Sequence, residues 1–148
     1  MDISIIIQLV IAGIMLASTV LILITILFNR KTNQNLTFVE VVKNERELRI
    51  KLNEYKIKMV GKNGTEEWEE LALNYDGLLF DYYEFIALCI YEKLINENNS
   101  KIYFKRLLIS VKDHFNDSIL FREQFKDGFI KIEQYPVLQW LFKKWNIE

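Results

Sequence analysis

The sequence has 148 residues, of which 51% are hydrophobic, and a formal net charge of −1. This length allows one domain of ordinary size plus an accessory segment. Asp2 is the only charged residue before Arg30, so residues 30–148 carry all 19 basic residues and 19 of the 20 acidic ones. Their neutrality excludes a global electrostatic attraction to nucleic acid or anionic lipid. One cysteine and one histidine exclude an intrachain disulfide and a Cys/His zinc site.

The first predicted element is a transmembrane helix over residues 1–29. Residues 3–28 contain no charge, and 26 helical residues extend roughly 39 Å, against roughly 30 Å of hydrocarbon in a bilayer. A cleaved signal peptide needs a basic start, which Met1-Asp2 does not supply. Arg30 and Lys31 follow the span, so the positive-inside rule predicts a single-pass membrane protein with its N-terminus outside and its C-terminal domain in the cytoplasm.

Five of the six polar residues between positions 3 and 29 follow one seam, in alternating steps of four and three, and the sixth, Thr19, lies next to it. The positions are Ser4, Gln8, Ile11, Met15, Ser18, Ile22 and Thr25, with Asn29 next. This period is typical of left-handed helix bundles, and a polar stripe in lipid turns toward partner helices or water. We therefore predict a homo-oligomer with the seam inside, and close helix packing at Gly13 and Ala17. A chance distribution of common membrane-helix residues is the alternative.

Residues 30–37 are predicted to form a polar linker. Thr37 and Glu40 have the spacing of a capping box, which predicts that a long membrane-proximal helix covers 38–60. Its apolar positions also follow a 3.5-residue repeat, interrupted at Glu45: Phe38, Val41, Leu48, Leu52, Tyr55 and Met59. Two interpretations remain open, namely a coiled coil between chains and packing on the chain's own domain.

Residues 61–148 are predicted to form a cytoplasmic helical domain, so the fold class is all-α. The glycines between 61 and 64 end the preceding helix and Thr65 caps the next one. The further predicted elements are a buried helix over Leu78–Ile95, a helix over Lys101–His114 capped by Ser100, a short helix over Asp117–Phe125, a turn at Asp127-Gly128, and a last helix with Pro136 at its first position.

No pattern of residues indicates an enzyme. The sequence lacks a glycine-rich phosphate loop and the hydrolase and metalloprotease motifs. Asp76, Asp81 and Glu84 are close in sequence, but we interpret them as caps and hydrogen-bond partners rather than as an acid–base pair. Cys89 is interpreted as a core residue and His114 as a cap or packing residue. We predict no cofactor and no metal.

Basic residues interleaved with aromatic ones form a candidate polyanion-binding surface. The residues are Lys101, Lys105, Arg106 and Lys112, with Lys143 and Lys144 as a second cluster near Trp140 and Trp145. Phosphate contacts combined with base stacking are how proteins bind single-stranded nucleic acid. The alternative interpretation is a solvated helix face above an aromatic core.

Three stretches carry a family resemblance: Leu73-Asn74-Tyr75, Tyr82–Ala87, and the segment from Tyr135 to Leu141. They resemble an uncharacterised bacterial family of small single-span membrane proteins with a helical cytoplasmic domain. The overall plan is similar to that of the membrane effector subunits of the Hailong anti-phage defence system. The chain departs from the family pattern in a stretch, 76–80, inserted before Asp81.

The resemblance implies a homotetrameric effector whose opening depolarises the inner membrane. It also implies a cytoplasmic domain held closed by a DNA oligomer, which a partner nucleotidyltransferase makes. The first functional hypothesis is therefore a regulated, ion-conducting pore. The second is a membrane-anchored adaptor whose cytoplasmic helices bind a protein partner.

Overall fold

A computed structural model describes residues 3–117 and 132–147, with side-chain positions for all of these except 3–12 and 132. The described residues form four α-helices and one short 3-10 helix, and no strand occurs among them. The helices are α1 (Ile3–Met59), α2 (Glu66–Tyr91), α3 (Glu97–Asp117) and α4 (Pro136–Lys144), and the 3-10 helix covers Ile132–Gln134. The predicted all-α class is confirmed for these residues.

Helix α1 runs unbroken for 57 residues, and this corrects the predicted polar linker at 30–37. The capping box at Thr37 does not form, because Thr37 lies inside the helix. No proline or glycine interrupts residues 29–37, and each Asn or Thr costs at most about 0.7 kcal/mol in a helix. A break would leave backbone groups without partners on both sides, which costs more. Gln34 also ties this segment to the domain, since its side-chain amide donates to the carbonyl of Lys93 at 2.8 Å.

One face of the second half of α1 is part of the domain core. Val41, Leu48 and Leu52 are buried, and Phe38, Tyr55 and Met59 pack against the same cluster. The repeat at 38–59 is therefore used for packing on the chain's own domain. Glu45, which interrupts the repeat, is fully buried on this face.

The turn between α1 and α2 has the predicted chemistry. Helix α1 ends at Met59, and Gly61 and Gly64 adopt left-handed φ angles of 78° and 79°, which glycine adopts at least cost. The Thr65 hydroxyl accepts a hydrogen bond of 3.1 Å from the backbone N–H of Trp68. Thr65 is thus the N-cap of α2, as predicted.

Replacing Thr65 by alanine should destabilise the protein by about 1 kcal/mol, because the cap bond is lost. Thr37→Ala is the matched control, since this threonine lies within α1, where alanine is the better helix former. Thermal unfolding of the detergent-solubilised chain, followed by circular dichroism, measures both changes. Equal effects of the two substitutions would contradict the assignment of Thr65 as the cap.

Helix α2 is one helix of 26 residues, not a short helix followed by a buried helix over Leu78–Ile95. It ends earlier than predicted, at Tyr91, because Lys93 adopts a positive φ of 58° and turns the chain. Ile95 lies beyond this turn and is 1% exposed. Gly77 does not break the helix, because the residues flanking it, such as Asp76 and Leu79, are held in the core.

Helix α3 begins at Glu97, before the predicted start at Lys101. Its N-terminal cap is Asn96, whose side-chain oxygen accepts from the backbone N–H of Asn99 at 3.1 Å. Ser100 is not a cap but a fully buried residue of the first turn, and its hydroxyl donates to the carbonyl of Asn96 at 2.8 Å. Both residues have good capping side chains, and the one nearer the end of α2 is used.

Helix α4 closes the core with Pro136 at its first turn, as predicted. Leu138 and Leu141 are completely buried, and so is the following Trp145 at 1% exposure. The aromatic rings of Phe80 and Phe115 meet edge to face with centroids 4.9 Å apart at the centre of the domain. The predicted helix over Asp117–Phe125 and the turn at Asp127-Gly128 lie, apart from Asp117, outside the described residues.

Candidate functional site

The first half of α1 is the candidate membrane element. Among the described residues, one helix is long and apolar enough to cross a membrane, by length and composition. Its best window of 18 residues has a mean hydropathy of 1.8, and none of that window is buried in the chain. Large apolar side chains from Ile14 to Phe28 are therefore uncovered by the protein itself.

The described hydroxyl groups on and beside the seam form hydrogen bonds within the helix. Ser18, Thr19 and Thr25 each donate a bond of 2.9 Å to the carbonyl four residues earlier. Each hydroxyl proton thus has an acceptor within the helix. Placing these residues in lipid therefore costs less free energy than the sequence alone suggested. Their oxygen lone pairs still accept bonds from water or a neighbouring helix. Met15 and Ile22, on the same seam, are 66% and 59% exposed.

The outer end of the seam is only partly described. Ser4, Gln8 and Ile11 lie on the helical backbone of α1, but their side chains lie outside the described residues. Gly13 and Ala17 are both exposed, and a Cβ added at Gly13 meets no atom within 4 Å. The predicted small-residue surface is thus open to a neighbouring helix.

Two of the six predicted polyanion-binding cations have structural partners. The ammonium of Lys112 donates to the carbonyl of Ile147 at 2.6 Å and fixes the C-terminal segment. Lys144 pairs with Glu97 at 2.7 Å and lies over the ring of Trp140, 4.8 Å from its centroid. The hydrogen bond from Lys144 is the main reason that the pKa of Glu97 falls below its ordinary value.

The interleaved aromatic residues are mostly core residues rather than a stacking surface. Phe104 is fully buried and Trp145 nearly so, while Tyr103 packs edge to face on Phe104 with centroids 4.8 Å apart. Base stacking is therefore not available at these two buried rings. Lys101, Arg106, Lys143 and Lys144 are exposed, and Lys105 and Lys112 are half-buried.

The three acids singled out in the sequence each hold the domain together. Glu84 accepts the backbone N–H groups of Val137 and Leu138 at 3.0 and 2.6 Å, so it caps α4 from a neighbouring helix. Asp81 accepts from the hydroxyl of Tyr135 at 3.2 Å.

Asp76 is paired with the only histidine. His114 Nε2 lies 2.6 Å from a carboxylate oxygen of Asp76, and Asp76 is 3% exposed. Sequence reasoning missed this pair, because 38 residues separate its members along the chain. Among the described residues, no group of three or more His, Cys, Asp or Glu side chains could hold a metal ion.

A cleft of about 290 Å³ lies between α1, α2 and α3. Its lining includes Glu45, Arg49, Lys56 and His114. Glu45 is fully buried, pairs through one oxygen with Arg49 and accepts from the Tyr83 hydroxyl at 3.3 Å. Its other oxygen has no protein hydrogen-bond partner. The cleft thus has a fixed carboxylate in its wall and two cations beside it.

Burial also sets the electrostatics around this carboxylate. The pKa values of Tyr82 and Tyr83 are raised well above the ordinary phenol value, chiefly by burial and further by the negative charge of Glu45. The hydrogen bond that Arg49 donates to the carboxylate of Glu45 raises the pKa of Arg49, so this guanidinium stays charged. Burial raises the pKa of the Cys89 thiol, which agrees with its interpretation as a core residue.

No protein-family profile, no curated protein and no solved structure matches this chain.

Proposed function

We propose that this chain is a membrane effector of bacterial anti-phage defence, which forms a homo-oligomeric, ion-conducting pore in the inner membrane. The anti-phage role follows from the family resemblance, and the tetramer is the copy number that the resemblance implies. The observation that carries the pore is the unbroken α1, whose uncovered apolar half continues without a joint into the helix packed in the domain core.

The seam supports a lining role for one face of the apolar half. Ser18 and Thr25 keep acceptor lone pairs beyond their internal bonds, which suits a wet interior better than lipid. Met15 and Ile22 alternate with them along the seam and would form apolar rings. Such rings can close a pore by excluding water when the helices approach.

Helix α1 would also connect the pore to its control. Its second half is fixed to the domain through Val41, Leu48 and Leu52, and Gln34 ties the preceding part of α1 to Lys93, in the turn that follows α2. A rigid helix transmits rotation and tilt, whereas a flexible linker would absorb them. Movement of the domains relative to one another would therefore turn the seam in the membrane.

The ligand we propose for the domain is an anionic DNA oligomer, made by a partner nucleotidyltransferase. Lys101, Arg106 and Lys143 are exposed and Lys105 is half-buried, and cations of this kind bind phosphates. Binding of a short single strand should weaken as salt concentration rises. Charge reversal at Lys105 and Arg106 should reduce it, and binding that survives this change would remove the site.

The pore is tested by the membrane potential of bacteria that express the chain, with a voltage-sensitive dye as the readout. Ser18→Leu combined with Gln8→Leu should abolish depolarisation, because both changes fall on the seam. Thr19→Leu is the matched control: its hydroxyl makes the same internal bond as that of Ser18 but lies off the seam. This control should still depolarise.

Equal activity of the seam variant and the control, at equal amounts in the membrane, would exclude a pore lined by the seam. If the native chain alone leaves the potential intact, expression with the partner and phage infection supplies the activating signal. A potential that stays intact under infection as well would reject the pore.

An adaptor is the alternative function, and one surface favours it. A groove of about 460 Å³ between α1 and α2 is lined in part by Leu78 and Phe85, which are 37% and 47% exposed. An exposed apolar groove of this kind suits a helix of a protein partner. An adaptor predicts that an unrelated span of equal length preserves function, whereas a pore predicts that this exchange destroys it.

A further inference from the structure

The outer face of the second half of α1 carries a stripe that continues the seam in the same register. After Asn29, steps of three and four lead through Thr32 to a series of eight positions. These are Leu36, Val39, Lys43, Arg46, Ile50, Asn53, Ile57 and Val60, and we call them the outer stripe. Five of the eight are large aliphatic residues. The 3.5-residue register thus continues from residue 4 to Val60, one residue past the end of α1, with Lys43, Arg46 and Asn53 at three of its positions.

Every residue of the outer stripe is exposed. Its five aliphatic members are 62–78% exposed, with Ile57 at 73% and Val60 at 78%. On the opposite face of the same helix, the repeat of 38–59 is buried in the domain. Helix α1 therefore has two apolar faces, and among the described residues only the face at 38–59 is covered. Single exposed aliphatic residues are common, but a series in heptad register is the pattern of a helix–helix interface.

We infer that the outer stripe packs against the same stripe of other copies of this chain, and forms a parallel coiled-coil stalk beneath the membrane. The inference rests on the proposed single-span topology, which inserts all copies in the same direction and sets equal residues at equal depth. The occupant is then another copy, because only an identical chain repeats the seam and the stripe in one register. The domains would surround this stalk, since they lie on the opposite face of α1.

The register also predicts the path of the helices. On a straight helix, a 3.5-residue repeat drifts by about 20° per heptad, or about 160° over the eight heptads from residue 4 to residue 60. A left-handed supercoil removes this drift and keeps the whole stripe toward the partner. One continuous supercoil would then contain both the pore and the stalk.

The charges that flank the outer stripe suit a parallel arrangement. Glu40, Glu47 and Glu54 recur every seven residues on one side of it, and Arg49 and Lys56 recur every seven on the other. In a parallel coil, Arg49 of one copy lies next to Glu54 of the neighbouring copy, because these flanks meet five residues apart. One pair of opposite charges therefore meets across the interface, through the guanidinium nitrogens that Arg49 does not use for Glu45 of its own chain.

Lys43 and Arg46 disfavour the proposed interface, because they place positive charges of neighbouring copies close together within the outer stripe. The ammonium of Lys43 lies 3.9 Å from Glu47 of its own helix. Its charge is thereby directed to the acidic flank. These two residues leave a hydrated layer between the aliphatic positions above and below them.

Disulfide cross-linking of the full chain in native membranes tests the stalk. Val39→Cys, Ile50→Cys and Ile57→Cys place single thiols on the outer stripe. Asn44→Cys and Lys51→Cys are matched controls, because they are exposed on α1 but off the stripe. Native Cys89 is 1% exposed, so the unmodified chain gives the background. Oxidation should yield about tenfold or more dimer at stripe positions than at controls, because a disulfide requires Cα atoms within about 7 Å.

Equal cross-linking at stripe and control positions, or none at the stripe, would overturn the stalk. So would a product whose mass is not a multiple of the chain's, because it would identify a different occupant. The membrane potential, measured in the same cells, keeps the two proposals apart. Depolarisation without stripe cross-links rejects the stalk and retains the pore. Stripe cross-links in a chain that does not depolarise, even under infection, retain the stalk and reject the pore.

Discussion

Asn33→Pro should destabilise α1 by about 3 kcal/mol or more, because proline removes a backbone hydrogen bond of the helix and clashes with the preceding turn. Asn33 lies near the middle of residues 30–37, is exposed and belongs to the continuous helix. The substitution should kink or open this segment. Trypsin added to the cytoplasmic side of membrane vesicles would then cut the variant at Arg30 and Lys31 faster than the native chain, because a protease requires an unfolded backbone.

Asn33→Ala is the control for this substitution, since alanine preserves the helix and removes the same side chain. It should leave the rate of cleavage unchanged. A flexible linker would give the opposite pattern, with rapid cleavage of all three chains and no added effect of proline. The same pair of variants tests coupling: if α1 transmits movement of the domain, the proline variant should no longer respond to the ligand while it still inserts.

Alkaline pH is the second change with a large expected effect, and it acts on the buried tyrosines. Tyr83 and Tyr135 are 4% and 5% exposed. Burial, together with nearby carboxylates such as Glu45 and Asp81, raises their pKa values above 10. The unfolded chain loses these protons at about pH 10, whereas the folded chain keeps them. The stability that these two tyrosines contribute is therefore fully present below about pH 10. It is lost as the pH rises toward their higher pKa values in the folded chain.

Above about pH 10, the free energy of unfolding should fall by about 1.4 kcal/mol per pH unit for each of these two tyrosines. The two together should lower it by about 3 kcal/mol per pH unit. Denaturant unfolding at successive pH values, with phenolate absorbance as a second signal, measures it. Phenylalanine at both positions costs hydrogen bonds at neutral pH but should reduce the alkaline slope, while Tyr82, whose pKa is also raised, keeps its contribution. An unchanged slope in this double variant would show that other groups cause the alkaline loss.

The parts of the fold that the sequence predicts are those set by local chemistry. Gly61 and Gly64 end α1, Thr65 caps α2 and Pro136 starts α4, and each is decided within a few residues. The errors arise where local signals compete. Thr37 and Glu40 have the spacing of a cap, but the helices on both sides make propagation less costly than a break. Ser100 and Asn96 are equally good caps, and the sharp turn at the end of α2 decides between them.

The candidate sites are less predictable, because they depend on pairings between distant residues. The sequence does not reveal that Asp76 contacts His114 or that Glu84 caps the start of α4. The first two residues are 38 positions apart, and Glu84 and Val137 are 53 positions apart. The basic–aromatic cluster shows the same limit. Alternation along the sequence does not reveal that Phe104 points into the core. The register of α1 is the exception, because a repeat along one helix is already a statement about its faces.

The unbroken α1 restricts how this protein can change in length. Each residue added between 30 and 37 would turn the domain by about 100° relative to the span and move it by about 1.5 Å. Insertions of one, two or three residues would thus point the outer stripe away from the seam. Adding seven residues returns the outer stripe to the same side of α1 as the seam, to within a rotation of about 20°. If the first half of α1 spans a membrane as proposed, the second half can lengthen by a whole heptad without losing the common face of the seam and the outer stripe.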